Sequence, residues 1–194
     1  MHNNRLQAIA QQYEISDTLV QRLNILQQFE VVILCDDSNS MNTPVNGTAG
    51  TCWNELHAIV KIVVDISTVF DSNGVDVHFL NWPPKLNVTD SQQIVESFAQ
   101  RPQGLTTLTP TLRRIFQTGA SKPNNSKRLL LVVFVATNGA PTDNHGNVDI
   151  QSLENLMRNE RQANRVTQSS KALIGAVDRQ MDAIDEYGDN NKRW

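Results

Sequence analysis

The chain predicts an α/β fold of three layers, with a mostly parallel central sheet and helices on both faces. Two short runs, Val31-Val32-Ile33-Leu34-Cys35 and Leu129 to Ala136, are continuously apolar and rich in β-branched residues. They are too short for helices and suit strands buried on both faces of a parallel sheet. The segments around them carry apolar residues at helical spacing, so the order reads strand, helix, strand, helices, strand, helix. That alternation is the pattern of a parallel sheet built from crossover helices.

In chain order, residues 1–28 read as a helical extension packed on the domain, and 29–194 as the domain itself. Leu6, Ile9, Ala10 and Tyr13 recur at helix spacing, and Ser16 is placed to cap a second helix through Leu19, Val20, Leu23 and Leu26. After the first strand, Trp53, Leu56, Val60, Val63, Val64 and Phe70 mark the inner face of a long helix ending near Asn73-Gly74. Val75 to Leu80 alternates and predicts a second strand exposed on one face, with His78 turned to solvent. Trp82-Pro83-Pro84 reads as a loop packing over the sheet edge. Asp90 caps a helix carrying Ile94, Val95 and Phe98, and Thr109-Pro110 reads as a cap followed by proline at the first helical position. Asp149 caps a helix through Leu153, Leu156 and Met157. From about residue 165 the pattern diverges: Ala172 to Val177 reads either as a last strand, with Met181-Ile184-Tyr187 in a closing helix, or as part of one helix capped by Ser169.

Composition narrows the function. The 194 residues are enough for one domain, and 39% apolar content is enough for a core. Lys plus Arg is 17 against Asp plus Glu 20, a net charge of −3, which provides no broad basic footprint for nucleic acid. No apolar run approaches the ~18–20 residues that span a bilayer. The polar start, Met1 to Gln7, lacks the apolar stretch of a signal peptide, so a cytoplasmic protein with no membrane partner is expected. Cys35 and Cys52 alone cannot frame a disulfide network or a zinc site, and Cys35 reads as core. Cys52 and His57 are five positions apart and so do not share a helical face, which argues against a catalytic pair.

Open α/β sheets bind ligands at the carboxyl ends of their strands. Three oxygen-rich loops qualify. In Asp36-Asp37-Ser38-Asn39-Ser40 the alternate residues 36, 38 and 40 project the same way from an extended segment. Gly104-Leu105-Thr106-Thr107 is the second, and Ala136 to Asp143, with Asn138-Gly139 at its start, is the third. One carboxylate with hydroxyls and an amide oxygen suits a hard cation, whereas no thiolate or imidazole set suggests zinc or copper. Neutral hydroxyl ligands leave such an ion short of negative charge and able to take one more anionic oxygen.

These pieces, Asp36-x-Ser38-x-Ser40, Gly104-x-Thr106 and Thr137-Asn138-Gly139 with Pro141-Thr142-Asp143, resemble the metal-ion-dependent adhesion site of von Willebrand factor type A (vWA) domains. The resemblance spans roughly residues 28–160 and implies a Rossmann-like fold. It further implies Mg²⁺, or Mn²⁺ or Ca²⁺, contacted by the hydroxyls of Ser38, Ser40 and Thr106, with Asp36 acting through a water. Where the family usually carries an aspartate this chain has Asn138, which predicts weaker metal affinity, with Asp37 or Asp143 as possible auxiliaries. Intracellular vWA domains generally serve as interaction modules, so the expected function is non-enzymatic, with the metal docking an exposed Asp or Glu of a protein partner. Homo-oligomerisation is a further expectation should the last strand be missing. Two alternatives stand beside it. One is a degenerate vWA scaffold that binds partners without metal. The other is a Mg²⁺-dependent phosphatase-like hydrolase, for which Asp36 is suitably placed but the second aspartate it needs is replaced by Ser38. Asn138-Gly139 is also a deamidation-prone dipeptide.

Overall fold

The computed structural model describes residues 2–24, 26, 29–71, 73–121, 130–162 and 174–176. The Leu129 end of the second apolar run, Ser169 and the closing helix expected at Met181 to Tyr187 lie outside them.

The elements are α1 (His2–Gln12), α2 (Asp17–Leu23), β1 (Phe29–Cys35), α3 (Cys52–Phe70), β2 (Val75–Phe79), β3 (Lys85–Val88), α4 (Val95–Phe98), α5 (Leu108–Ser121), β4 (Leu130–Thr137), α6 (Ile150–Gln162) and β5 (Ile174–Ala176). The sheet order is β3-β2-β1-β4-β5. β1 pairs in parallel with β2 and with β4, β4 pairs in parallel with β5, and β3 runs antiparallel to β2. The sheet is therefore mixed rather than uniformly parallel. Of the span read as either strand or helix, the described residues Ile174–Ala176 form a strand that pairs with the outer edge of β4.

Helices cover both faces, and the alternation of β1 shows how. Val31, Ile33 and Cys35 point into a cluster with Trp53, Leu56, Val60 and Val64 of α3 and with Ile94 and Phe98. Val32 and Leu34 point the other way, onto Leu108, Leu112, Ile115 and Phe116 of α5 and Leu153 and Leu156 of α6. A strand with both faces buried must be apolar at every position, which is why β1 reads as an unbroken run. A third cluster seats the N-terminal helices: Leu6, Ile9, Ala10 and Val20 pack with Val69 near the end of α3.

Three expectations change. β2 has no solvent face, and His78 is buried at 8% exposure instead of solvated. The reason is helix cover: His78 lies in register beside Leu34, on the face where Leu34 and Leu80 pack with residues of α5 and α6. Secondly, α5 begins at Leu108, so Thr109 lies inside the helix and Pro110 is its third residue. Proline is tolerated there because first-turn amides have no intrahelical acceptor. Thirdly, β3 has no counterpart in the sequence reading. Three of its four residues are exposed, so it lacks the apolar signal of an inner strand. It pairs with β2 through a register shift, with Asn87 at φ +54° and Lys85 on the edge, features that discourage further strand addition. Gly74, at φ +86°, leads into β2 where a Cβ would lie 2.6 Å from the Asn87 carbonyl carbon, so the turn requires glycine.

Trp53 is core, as expected, with its indole N–H donating to the carbonyls of Phe98 and Gln100. Trp82 packs edge-on against it at 5.5 Å between ring centroids, which ties the loop after β2 to α3. Cys35 is fully buried, and burial with Asp37 and Asp36 nearby pushes its thiol well above the usual range, so it is no nucleophile.

On α1, Tyr13 donates to Asp65 Oδ2 at 2.6 Å, and Arg5 donates to the Thr68 hydroxyl at 3.1 Å. Burial, then the bond and the charge of Asp65, push the Tyr13 phenol up to about 12. A raised folded-state value means that the contribution is complete below the ordinary phenol range near 10 and is lost as pH climbs through about 12. In a Tyr187→Phe background, ultraviolet titration of the remaining phenol should therefore show ionisation well above that of the unfolded chain. Tyr13→Phe should cost about 1 kcal/mol in urea unfolding at neutral pH.

Candidate functional site

Because β1, β2 and β4 are mutually parallel in the sheet, their carboxyl ends open at one edge. β1 connects forward to β2 on one side, while β4 lies on its other side, so the strand order reverses between β1 and β4. That reversal leaves a crevice outside the strand ends, the usual ligand position in open α/β sheets. Asp36 follows β1 and Asn138 follows β4, one on each side of it.

The loop after β1 is held tightly. Asp36 N–H donates to the Ala136 carbonyl at 3.0 Å, extending the ladder by one bond. The Asp36 carboxylate is fully buried: Oδ1 accepts the Ser38 N–H at 2.9 Å, and Oδ2 accepts the Thr137 hydroxyl. Residues Asn39–Asn42 then turn as one 3-10 segment, anchored by Met41, which is 3% exposed in the core.

Four oxygens from the three loops form a chain. The Thr106 hydroxyl donates to Ser38 Oγ at 3.0 Å, leaving the Ser38 proton for Ser40 Oγ at 2.9 Å. Ser40 in turn donates to Asn138 Oδ1 at 2.8 Å, and Asn138 Nδ2 donates back to the Ser40 carbonyl at 3.0 Å. The structure thus brings Asp36, Ser38, Ser40, Thr106 and Asn138 to one place. Ser38 and Thr106 are buried, while Ser40 is exposed at the rim.

Asp37 and Asp143 are engaged elsewhere. Asp37 is fully buried and its Oδ1 accepts both the backbone N–H of Asn81, at 2.9 Å, and its Nδ2, at 3.1 Å. Burial raises the Asp37 carboxyl above the ordinary range, with the Asn81 bonds opposing the shift. Asp143 serves its own turn: it accepts the backbone amides of His145 and Asn147 and the Asn147 side chain, which together hold its carboxyl below the usual range.

Asn81 is the residue that sequence reasoning missed. Besides binding Asp37, its Nδ2 donates to the Leu105 carbonyl at 3.1 Å, next to Thr106. Two further bonds lock the same loop: Gln103 N–H to the Asp37 carbonyl at 2.8 Å and Asn39 N–H to the Gly104 carbonyl at 3.1 Å. Gly104 makes the approach possible. At φ +101°, an added Cβ would lie 2.4 Å from Asn81 Oδ1. The asparagine and the glycine are 23 positions apart, so only tertiary structure pairs them.

Below Asn138 a small, mostly apolar recess is lined by Met41, Cys52, Leu56, Ala136 and Thr137. Cys52 and His57 stay apart in role, since the His57 ring stacks on Phe98 at 4.6 Å. Burial, then the charge of Lys61, holds His57 below its ordinary value. Among the described residues no group of three or more His, Cys, Asp or Glu gathers in metal-binding fashion, and no helix is long and apolar enough to cross a membrane.

Comparisons with family models, with curated proteins and with solved structures return no match for this chain.

The loop lock yields a stability test. Gly104→Ala should destabilise by about 1–3 kcal/mol in urea unfolding, because it adds both a disfavoured φ and a clash. Combining it with Asn81→Ala, which removes the clashing side chain, should give a total smaller than the sum of the two single effects.

Proposed function

We propose that this protein is a non-enzymatic interaction module of vWA type, with a Rossmann-like body, which docks an acidic side chain of a partner protein through a divalent cation. The observation that carries the reading is the convergence of Ser38, Ser40, Thr106 and Asn138 oxygens at the strand-order reversal. The resemblance of the three loop motifs to the adhesion site supports it independently of their spacing in space.

The donor set fits a small hard ion. Adjacent ligands of an octahedral Mg²⁺ at 2.0–2.1 Å stand about 2.9 Å apart, whereas Ca²⁺ ligands at right angles stand roughly 3.3–3.7 Å apart. The separations here are 2.8, 2.9 and 3.0 Å, on the Mg²⁺ side of that divide. Ser38, Ser40 and Thr106 would hold the ion through hydroxyls and Asn138 through its amide oxygen. Asp36 would act from behind, since both of its oxygens already fasten the loops. With these neutral ligands the cation supplies an undercompensated positive charge, and a guest carboxylate would meet it. Mn²⁺ is a close substitute.

A metal-free scaffold is the second reading, favoured by one observation: the same separations are ordinary O–H···O distances, and each hydroxyl already has a partner. A phosphatase-like hydrolase has no such support, as Ser38 occupies the place of the second aspartate.

Titration calorimetry with Mg²⁺, Mn²⁺ and Ca²⁺ tests the proposal. Mg²⁺ and Mn²⁺ should bind, Ca²⁺ more weakly, and Ser38→Ala with Ser40→Ala should abolish the heat while thermal unfolding stays cooperative. Asn138→Asp should tighten Mg²⁺ by about tenfold or more, as a carboxylate replaces an amide beside the dication. Glutamate-bearing peptides should be retained in Mg²⁺ and released by EDTA. No heat with any of the three ions, in either wild type or Asn138→Asp, refutes the metal mechanism.

A further inference from the structure

The chain contains three Asn-Gly dipeptides, Asn46-Gly47, Asn73-Gly74 and Asn138-Gly139. Only the last stands inside an ordered set of proton donors and acceptors. Ser40 Oγ donates to Asn138 Oδ1 at 2.8 Å, which polarises the side-chain carbonyl as an oxyanion donor would. The Ser40 carbonyl holds Asn138 Nδ2 at 3.0 Å. On the other side, the Gly139 N–H donates to Thr137 Oγ1 at 3.2 Å, and the Thr137 hydroxyl donates to the buried carboxylate of Asp36. An acceptor for the amide proton and a donor for the amide oxygen thus flank one asparagine. Gly139 itself sits in the cluster, where a Cβ would lie 3.4 Å from Ser40 Oγ and 3.5 Å from Thr106 Oγ1.

We infer that Asn138-Gly139 is a self-modification site, at which the fold promotes conversion of the asparagine to a carboxylate in the ion-free protein. The Gly139 amide gives its proton to Thr137 Oγ1 as the Thr137 proton passes to Asp36, and the Gly139 nitrogen bonds to Asn138 Cγ. The Cγ–Nδ2 bond breaks, and the departing NH₂ takes back the displaced proton and leaves as ammonia. The resulting five-membered imide then adds water. Opening at Cγ leaves aspartate, and opening at the backbone carbonyl leaves isoaspartate with the chain running through the side-chain carbon. Resting on the proposed function, the aspartate product adds a negative charge beside Ser40, turning a weak cation site into a strong one with age.

The other two dipeptides serve as internal controls. Asn46 and Asn73 are exposed, and among the described residues neither side-chain amide has a hydroxyl donor. The full chain is incubated in EDTA at mildly alkaline pH, folded and in urea, with timed peptide mapping that separates aspartate from isoaspartate. Expected is faster conversion at Asn138 in the folded protein than in urea, with Asn46 and Asn73 no faster folded than unfolded. Ser40→Ala, a change at the exposed rim, should slow Asn138 in the folded state roughly tenfold or more and leave its rate in urea unaltered. Slower conversion of Asn138 in the folded protein than in urea, or a folded rate indifferent to Ser40→Ala, overturns the inference. The mapping is independent of any metal. Conversion that proceeds as expected without tighter Mg²⁺ binding by the aspartate form upholds the modification and counts against the cation reading alone.

Discussion

Asp36 leaves the end of β1 with its carboxylate shut away from solvent, one oxygen bound to the Ser38 amide and the other to the Thr137 hydroxyl. Burying a carboxylate is costly unless its oxygens are hydrogen-bonded, and both oxygens of Asp36 are. The first and third loops are therefore constrained to meet at this residue. Ser38 and Ser40 inherit their positions from the first bond, and Asn138 from the second. The strand pairing of β1 with β4, in register through Cys35 and Ala136, brings the two loops close enough for one side chain to span them.

The second loop joins by a different route. Its backbone is held by Asp37 and Asn39 and by the side chain of Asn81, and its turn depends on Gly104. Thr106 reaches Ser38 because that turn is fixed, so the cluster depends on two residues outside it, Asn81 and Gly104. Trp82, immediately after Asn81, packs on Trp53 and ties the loop after β2 to α3. The hydroxyl cluster is accordingly a product of the whole sheet edge. Its members are short side chains, Ser, Thr and Asn, with few rotatable bonds, so little entropy is lost in holding them together.

The amide of Asn138 decides how the cluster closes. As an amide it satisfies the Ser40 hydroxyl and carbonyl at once and closes the cluster on itself. As a carboxylate it could accept from Ser40 but not donate to its carbonyl, and it would add charge that a cation could offset. Under the proposed function the same side chain sets the balance between a self-satisfied polar cluster and a cation-binding one, and the glycine that follows it places a backbone amide beside it.

What the sequence determined by itself was whatever repeats along the chain or depends on adjacent residues. The unbroken apolar runs of β1 and β4, the helical spacing of α3, the capping roles of Ser16, Asp90 and Asp149, and the oxygen-rich loops were legible because burial on both faces, helix periodicity and capping all act locally. Edge and neighbour relations were not. β3 carries too little apolar signal to be read as a strand, yet its pairing makes β2 an interior strand, and His78 is buried on the face that α5 and α6 cover. Thr109-Pro110 looks like a cap and first helical residue, but the chain begins the helix two residues before Pro110, at Leu108, which is 2% exposed in the core. The auxiliary carboxylates Asp37 and Asp143 are equally plausible in one dimension, and only their hydrogen bonds direct one to Asn81 and the other to its own turn. Asp143 is settled within its own turn. Tertiary structure decided the Asp37–Asn81 pairing and the burial of His78, because these join residues tens of positions apart, and such contacts depend on strand order, a property of the assembled sheet rather than of any segment within it.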